Sequence, residues 1–297
     1  MFTAKDVKEL REMTGCGMMD CKKALTETNG DKEKAVEFLR EKGLATAAKK
    51  SSRIAAEGIV KDYVANNVGV ILEVNAETDF VAKNEQFLDF VDVVAKAVAE
   101  NNPQDVEALK SVSVGGTTIG DMLTEKIATI GENMNIRRFA RYEGEVATYI
   151  HAGGKIGVLV KFDTDVASNE GFKDFAKDIA MQIAAVNPTY VRSSEVPSDV
   201  VEKEKEILMA QAINEGKPAN IAEKMVAGRI QKYYKEVCLI EQPFIKDGDL
   251  SVAKYTEEKA KEFGGKIEIV SFARFEKGEG LEKKEDNFAD EVASMVK

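Results

Sequence analysis

Histidine is almost missing from this chain: there is one in 297 residues, His151. That excludes a multi-histidine metal site and an HExxH helix. A Ser/His/Asp triad would have to be built on His151, and its neighbours give no support for one. Cysteine is scarce as well. Cys16, Cys21 and Cys238 are odd in number and lack CxxC spacing, which fits a reduced, cytoplasmic setting. No apolar run reaches the roughly 18 residues of a membrane span, and the opening MFTAKDVKEL has no secretory apolar stretch. No GxGxxG follows a strand and no GxSxG occurs. The pairs Gly154-Lys155 and Gly265-Lys266 are each followed by isoleucine, not by the Ser or Thr of a phosphate loop. These absences predict a binding protein rather than an enzyme, with no cofactor and no metal of its own. A net charge of −10, from 42 basic and 52 acidic residues, repels phosphates and argues against direct nucleic-acid binding.

What is present is enough for a core, at 44% hydrophobic content, and for about two domains of roughly 100–200 residues. The middle of the chain is duplicated. GVILEVNAETDFVAKNEQFLDF, read from Gly69, returns as GVLVKFDTDVASNEGFKDF, read from Gly157. Asn84 matches Asn169, Phe87 matches Phe172, and Phe90 matches Phe175. The offset is 88 residues at the glycines and 85 at the phenylalanines, so the first copy carries three surplus residues at its strand end. One alignment makes them Thr78-Asp79-Phe80. Another pairs Thr78-Asp79 with Thr164-Asp165 and puts the surplus just before them. Either way, a large apolar ring stands at a polar strand-to-helix junction that the second copy completes without one. That points to a task performed on a partner, against the plainer reading that Phe80 folds back over its own sheet.

The copies span residues 58–143 and 144–276. In each, two alternating apolar runs predict a hairpin: Ile59 to Tyr63 with Val70 to Val74, and Val146 to Ile150 with Val158 to Phe162. A helix follows (Phe87 to Val98; Phe172 to Ala185), and a strand closes each copy at Arg138 to Glu143 and Phe272 to Glu276. The fold class expected is α+β, with helices on one face of antiparallel sheets. About 47 further residues in the second copy, 188–234, predict a helical hairpin turned at Gly216-Lys217-Pro218. Val200, Glu204, Ile207, Leu208 and Gln211 stand in register on its first arm, and Ile221, Met225, Arg229 and Lys232 line its second. It is either a decoration or a self-association element.

Residues 1–43 predict three short helices. Thr3 and Asp6 form a capping box, Gly15 and Gly17 separate the first two helices, Asp31 caps the third and Gly43 stops it. Met18 and Met19, at the start of the second, are either core or a docking surface. Residues 44–57 are expected as a linker. Residues 277–297 end the chain in a stripe containing Phe288, Val292, Met295 and Val296, which needs a cover from the core or from a partner.

TGCGMMDCKKAL (14–25), TDFVAKNEQF (78–87), NIRRFARYEG (135–144), GKPANIAEKMVAGR (216–229) and EGLEKKEDNFADEVASM (279–295) together resemble bacterial translation elongation factor Ts, from end to end and in order. The resemblance implies a ubiquitin-associated-like helical domain, a two-part core, a coiled-coil insertion and a C-terminal module. It implies guanine nucleotide exchange on the GTPase elongation factor Tu. By the same resemblance, Phe80 inserts near the Mg²⁺ site of that GTPase, Asp79 hydrogen-bonds to it, and Thr78 and Val81 shape the turn. Met18, Met19, His151, Phe288 and Val292 would make secondary contacts, and the insertion could support a homodimer. Two alternatives stand beside this one. An adaptor using the helical domain alone would have no exchange activity. An enzyme would use Glu77 and Asp79 as an acid–base pair, although no substrate-binding motif accompanies them.

Overall fold

The computed structural model describes residues 2–282. Three helices open it. The Thr3 hydroxyl accepts from the Asp6 N–H, and the Asp6 carboxylate takes the Thr3 N–H at 2.7 Å, so α1 (Ala4–Thr14) starts on a reciprocal cap. Gly15, in the left-handed region, ends it. α2 (Met18–Glu27) and α3 (Lys32–Lys50) follow, the latter capped by Asp31. Val7, Leu10, Cys21, Ala24, Leu25, Ala35 and Leu39 meet in a small core.

The third helix does not stop at Gly43 as expected; it runs on to Lys50. The continuation, LATAAKK, is made of good helix formers. Gly43 itself is buried, and a Cβ there would stand 3.5 Å from Ala128 on a core helix. Burial on that side offsets the roughly 1 kcal/mol that a mid-helix glycine costs. The first half of the expected linker is therefore helix.

The first copy then runs β1 (Glu57–Ala65), β2 (Val68–Ala76), α4 (Glu85–Asn101), α5 (Val106–Lys110), a short hairpin of β3 (Ser113–Val114) and β4 (Thr117–Thr118), α6 (Ile119–Ile130) and β5 (Met134–Glu143). The second runs β6 (Glu145–His151), β7 (Ile156–Thr164), α7 (Phe172–Val186), α8 (Ser198–Asn214), α9 (Ala219–Val237), a hairpin of β8 (Pro243–Phe244) and β9 (Asp247–Ser251), α10 (Val252–Phe263) and β10 (Ile267–Glu276). The sheets are antiparallel, ordered β1-β2-β5 and β6-β7-β10. Val70, Leu72 and Val74 face α4 and α6, while Val158, Val160 and Phe162 face α7. The other faces of the two sheets meet. Gly69 and Gly157 lie at that junction: a Cβ on Gly69 would stand 2.6 Å from Leu159, and one on Gly157 would stand 2.4 Å from Val60. The architecture is helices, sheet, sheet, helices.

The helical hairpin α8–α9 is present, but its seam differs from the expected register. Ala212, Ala222, Val226 and Ile230 are buried, whereas Ile207 and Ile221 are exposed. Alanines allow the two helices to approach closely, and that close contact sets the seam. Among the described residues, no helix is long and apolar enough to cross a membrane.

Candidate functional site

The two copies can be superposed residue by residue through their hydrogen bonds at the strand-to-helix junction. Ala76 ends β2 opposite Met134, and Thr164 ends β7 opposite Ile267. The next residue in each copy is an acid that holds the backbone just before the closing strand. Glu77 Oε1 accepts the Asn133 N–H at 2.6 Å, and Asp165 Oδ1 accepts the Lys266 N–H at 2.7 Å. Further on, Val81 O accepts from Asn84 N–H at 2.9 Å and Val166 O accepts from Asn169 N–H at 3.0 Å. Glu77 therefore matches Asp165 and Val81 matches Val166. The surplus is Thr78-Asp79-Phe80, and the alternative pairing of Thr78-Asp79 with Thr164-Asp165 is set aside.

These three residues project from a fastened base. Thr78 gives both its N–H and its hydroxyl to the Glu132 carboxylate, at 3.0 and 2.7 Å. Glu132 belongs to the turn before β5. That turn is held in its own right, because Lys50 donates to the Gly131 carbonyl and the Asn133 side chain donates to Arg53 O at 2.7 Å. Arg53 stands 3.5 Å from Glu77. A 3-10 turn, Val81–Lys83, leads into α4. Val81 is buried in the core, and Asn84 caps the helix by accepting from the Gln86 and Phe87 N–H groups. Asp79 is paired with Lys83 at 2.8 Å. That hydrogen bond, helped by the more distant charge of Lys277, holds its carboxyl below the usual range. Phe80 has no such anchor: 81% of it is exposed. It does not fold back over its sheet. The loop thus presents a bare aromatic ring from a fastened backbone, held on either side and at the Phe80 carbonyl, which accepts the Lys83 N–H at 3.2 Å.

Glu77 and Asp79 do not act as a pair. The first is spent on Asn133 and Arg53, the second on Lys83. Among the described residues, no group of three His, Cys, Asp or Glu side chains could hold a metal ion.

The remaining expected contacts are scattered over the surface. Met18 and Met19 are 57% and 73% exposed and line a shallow groove with Phe2, Val7 and Lys22, so neither is core. His151 ends β6, exposed, with its Nδ1 3.0 Å from the Tyr149 hydroxyl. Phe288 and Val292 lie outside the described residues. Sequence reasoning missed the anchors Glu132 and Asn133. Nothing short of the pairing of β2 with β5 could place them beside Thr78.

Residues 77–279 match the family described as Elongation factor TS. The chain is 58% identical to Elongation factor Ts of Clostridium perfringens strain 13 over 301 residues, covering 99% of each protein. It is 56% identical to that of Clostridium botulinum strain Eklund 17B over 302 residues, with 100% of this chain and 99% of the relative covered. For Clostridium kluyveri strain NBRC 12016 the identity is 55% over 304 residues, at the same coverage. Relatives that align from end to end at such identity share the architecture described above, and the chain belongs to the elongation factor Ts family of translation elongation factors.

Proposed function

We propose that this protein is a guanine nucleotide exchange factor for elongation factor Tu, and that Phe80 is the group that couples its binding to release of GDP. The observation that carries this reading is a bare aromatic ring on a fastened three-residue loop, which the homologous copy in the same chain does without. A GTPase holds GDP through its phosphate loop and a Mg²⁺ that bridges phosphate oxygens. Mg²⁺ tolerates little distortion of its octahedral shell. An exchanger need not touch the nucleotide. It must bind the empty form more tightly than the loaded one, because a ligand shifts an equilibrium only by its differential affinity. Nucleotide and exchanger then weaken each other equally. Burying the Phe80 ring in the GTPase near its Mg²⁺ site is worth about 1.5–3 kcal/mol. If that contact forms only in the nucleotide-free state, the whole of it is coupling. Asp79 and Thr78 set the ring's approach, and Val81 roots the loop in the core. Met18 and Met19, His151, and the segment with Phe288 and Val292 supply affinity to either state.

The test is release of a fluorescent GDP analogue from elongation factor Tu. The wild-type chain accelerates it strongly. Phe80→Ala, and deletion of Thr78-Asp79-Phe80, which gives the first copy the junction of the second, reduce the acceleration by about 10- to 150-fold, as 1.5–3 kcal/mol requires. Acceleration unaltered by both changes would move the mechanism elsewhere on the surface. No acceleration by the wild type would leave the adaptor reading, with the Met18–Met19 groove as its binding face.

A further inference from the structure

The two copies differ again on the turn that enters the closing strand. In each, a helix ends on a glycine in the left-handed region, Gly131 after α6 and Gly264 after α10. Two residues later comes the N–H that the junction acid holds: Asn133 bonded to Glu77, and Lys266 bonded to Asp165. Between them stands Glu132 in the first copy and Gly265 in the second. Gly265 has no positive φ, so its backbone would accept any side chain. What it lacks is room. A Cβ there would stand 2.3 Å from Asp165 Oδ1 and 2.4 Å from Val166 Cγ1. Neither neighbour can step aside freely, because that oxygen is bonded to Lys266 and Val166 is buried in its core. The short junction of the second copy fills the space over the turn. In the first copy the three surplus residues leave that space to Glu132.

Glu132 uses the space to hold Thr78. Its Oε2 accepts the Thr78 N–H at 3.0 Å and its Oε1 the Thr78 hydroxyl at 2.7 Å, the shortest bonds that Thr78 makes. The loop then closes on Thr78: Oγ1 accepts the Val81 N–H and the carbonyl accepts the Ala82 N–H, each at 3.4 Å. A hydroxyl that gives its proton to a carboxylate turns its lone pairs toward the next donor, so the bond to Glu132 also sets the bond to Val81. Hydrogen bonds to an ionised acceptor are about twice as strong as neutral ones. The turn beneath Glu132 is itself tied to the end of α3 and the residues after it, through Lys50 and Asn133. Phe80, 81% exposed, takes its direction from this backbone rather than from packing.

We propose that Glu132 is a positioning residue: by holding Thr78 through two bonds it orders the surplus loop before any partner is met, so that burial of Phe80 goes into coupling and not into ordering the chain. This rests on the exchange reading above. Glu132 acts on Phe80 through Thr78. A loop that is loose when free must be ordered on binding, and that cost is drawn from the contact that orders it. On the exchange reading that contact forms with the nucleotide-free GTPase. The loss of Glu132 therefore falls on GDP release and not on affinity for the loaded form.

The experiment reads release of a fluorescent GDP analogue from elongation factor Tu over a range of exchanger concentrations, together with amide hydrogen exchange and denaturant unfolding of the free protein. Glu132→Ala is expected to speed exchange of the Thr78 amide about tenfold while leaving the Asn133 amide, bonded to Glu77, unchanged. It should lower the saturating release rate about five- to tenfold and shift the half-saturating concentration less than about twofold. In a Phe80→Ala background the same change should lower the rate less than about twofold. Glu132→Gln keeps one acceptor oxygen for the two donors, so its rate should lie between those of Glu132→Ala and the wild type; it carries the test if Glu132→Ala does not fold. Glu132→Gly should lower the unfolding midpoint of the full-length chain and raise that of a chain lacking Thr78-Asp79-Phe80, where the side chain has lost its space. Equal loss of rate with and without the Phe80 ring, an unaltered Thr78 amide, or a midpoint that moves the same way at both loop lengths would overturn the positioning role. Absence of acceleration by the wild type would instead overturn the exchange reading, and it is told apart because the amide and unfolding measurements involve no partner.

Discussion

The two halves of the core are the same design executed twice, and their disagreements are more instructive than their agreements. Each has a hairpin, an acid bonded to the backbone before the closing strand, a long helix that starts just after an asparagine, a short hairpin, a second helix and a bulged last strand. What recurs is what the fold needs. What appears once is Thr78-Asp79-Phe80, the short helix α5 and the buried Glu73 carboxylate with Arg137 and Arg138 (Lys161, Val270 and Ser271 at the matching positions) in the first half, and the helical hairpin α8–α9 in the second. Within one chain the second half serves as an internal control for the first.

The comparison can be broken most sharply in the core. Phe87 and Phe172 begin matching helices, and both are buried against their own sheet. Phe87→Ala and Phe172→Ala are each expected to cost about 3–5 kcal/mol in denaturant unfolding. Values differing by more than a factor of two would mean that the halves are not packed alike. The caps should show a smaller, unequal effect. Asn84 accepts from two helical N–H groups, whereas Asn169 accepts only from Gly171, one residue before α7. Asn84→Ala is expected to cost about 1 kcal/mol and Asn169→Ala only a few tenths, by the same measurement. The smallest effect is in the acid limb. The folded-state pKa of Glu73 lies below its ordinary 4.5. Its carboxylate therefore contributes stability that is present above about pH 4.5 and lost as pH falls through the lower, folded value. The stability gap between wild type and Glu73→Gln should be widest near neutral pH and should close on acidification below 4.5. Lys161→Gln, at the matching position, should show no such closure. A gap that stays constant with pH would show that the contribution of Glu73 does not depend on its charge.

Much of this was legible in the sequence because it is local. Alternation marked the strands at Ile59 to Tyr63 and Val158 to Phe162, Thr3 and Asp6 marked the first cap, and the offset between copies located the surplus loop. Two kinds of feature were not legible. Some elements are short: α6 and α10, 12 residues each and each after a short hairpin, were not foreseen, although they extend the duplication. Others are decided by distant partners. Gly43 looks like a helix stop until α6 covers it, and Glu132 acquires its role only when β5 pairs with β2. Glu73 left a trace, a charge inside the apolar run GVILEVNA, but a trace without a partner is not a site.

The third helix, which passes Gly43 and ends on the core, bears on how the first residues of the chain would take part in the proposed binding. Nineteen residues at 1.5 Å each make a rod of about 28 Å shared by both parts. Two binding patches joined by a floppy tether find a target at an effective concentration that the tether's length dilutes. A rod removes that dilution. On the exchange reading proposed above, once Phe80 is seated Met18 and Met19 would arrive at their place without a search, or, on a target of the wrong shape, would not arrive at all.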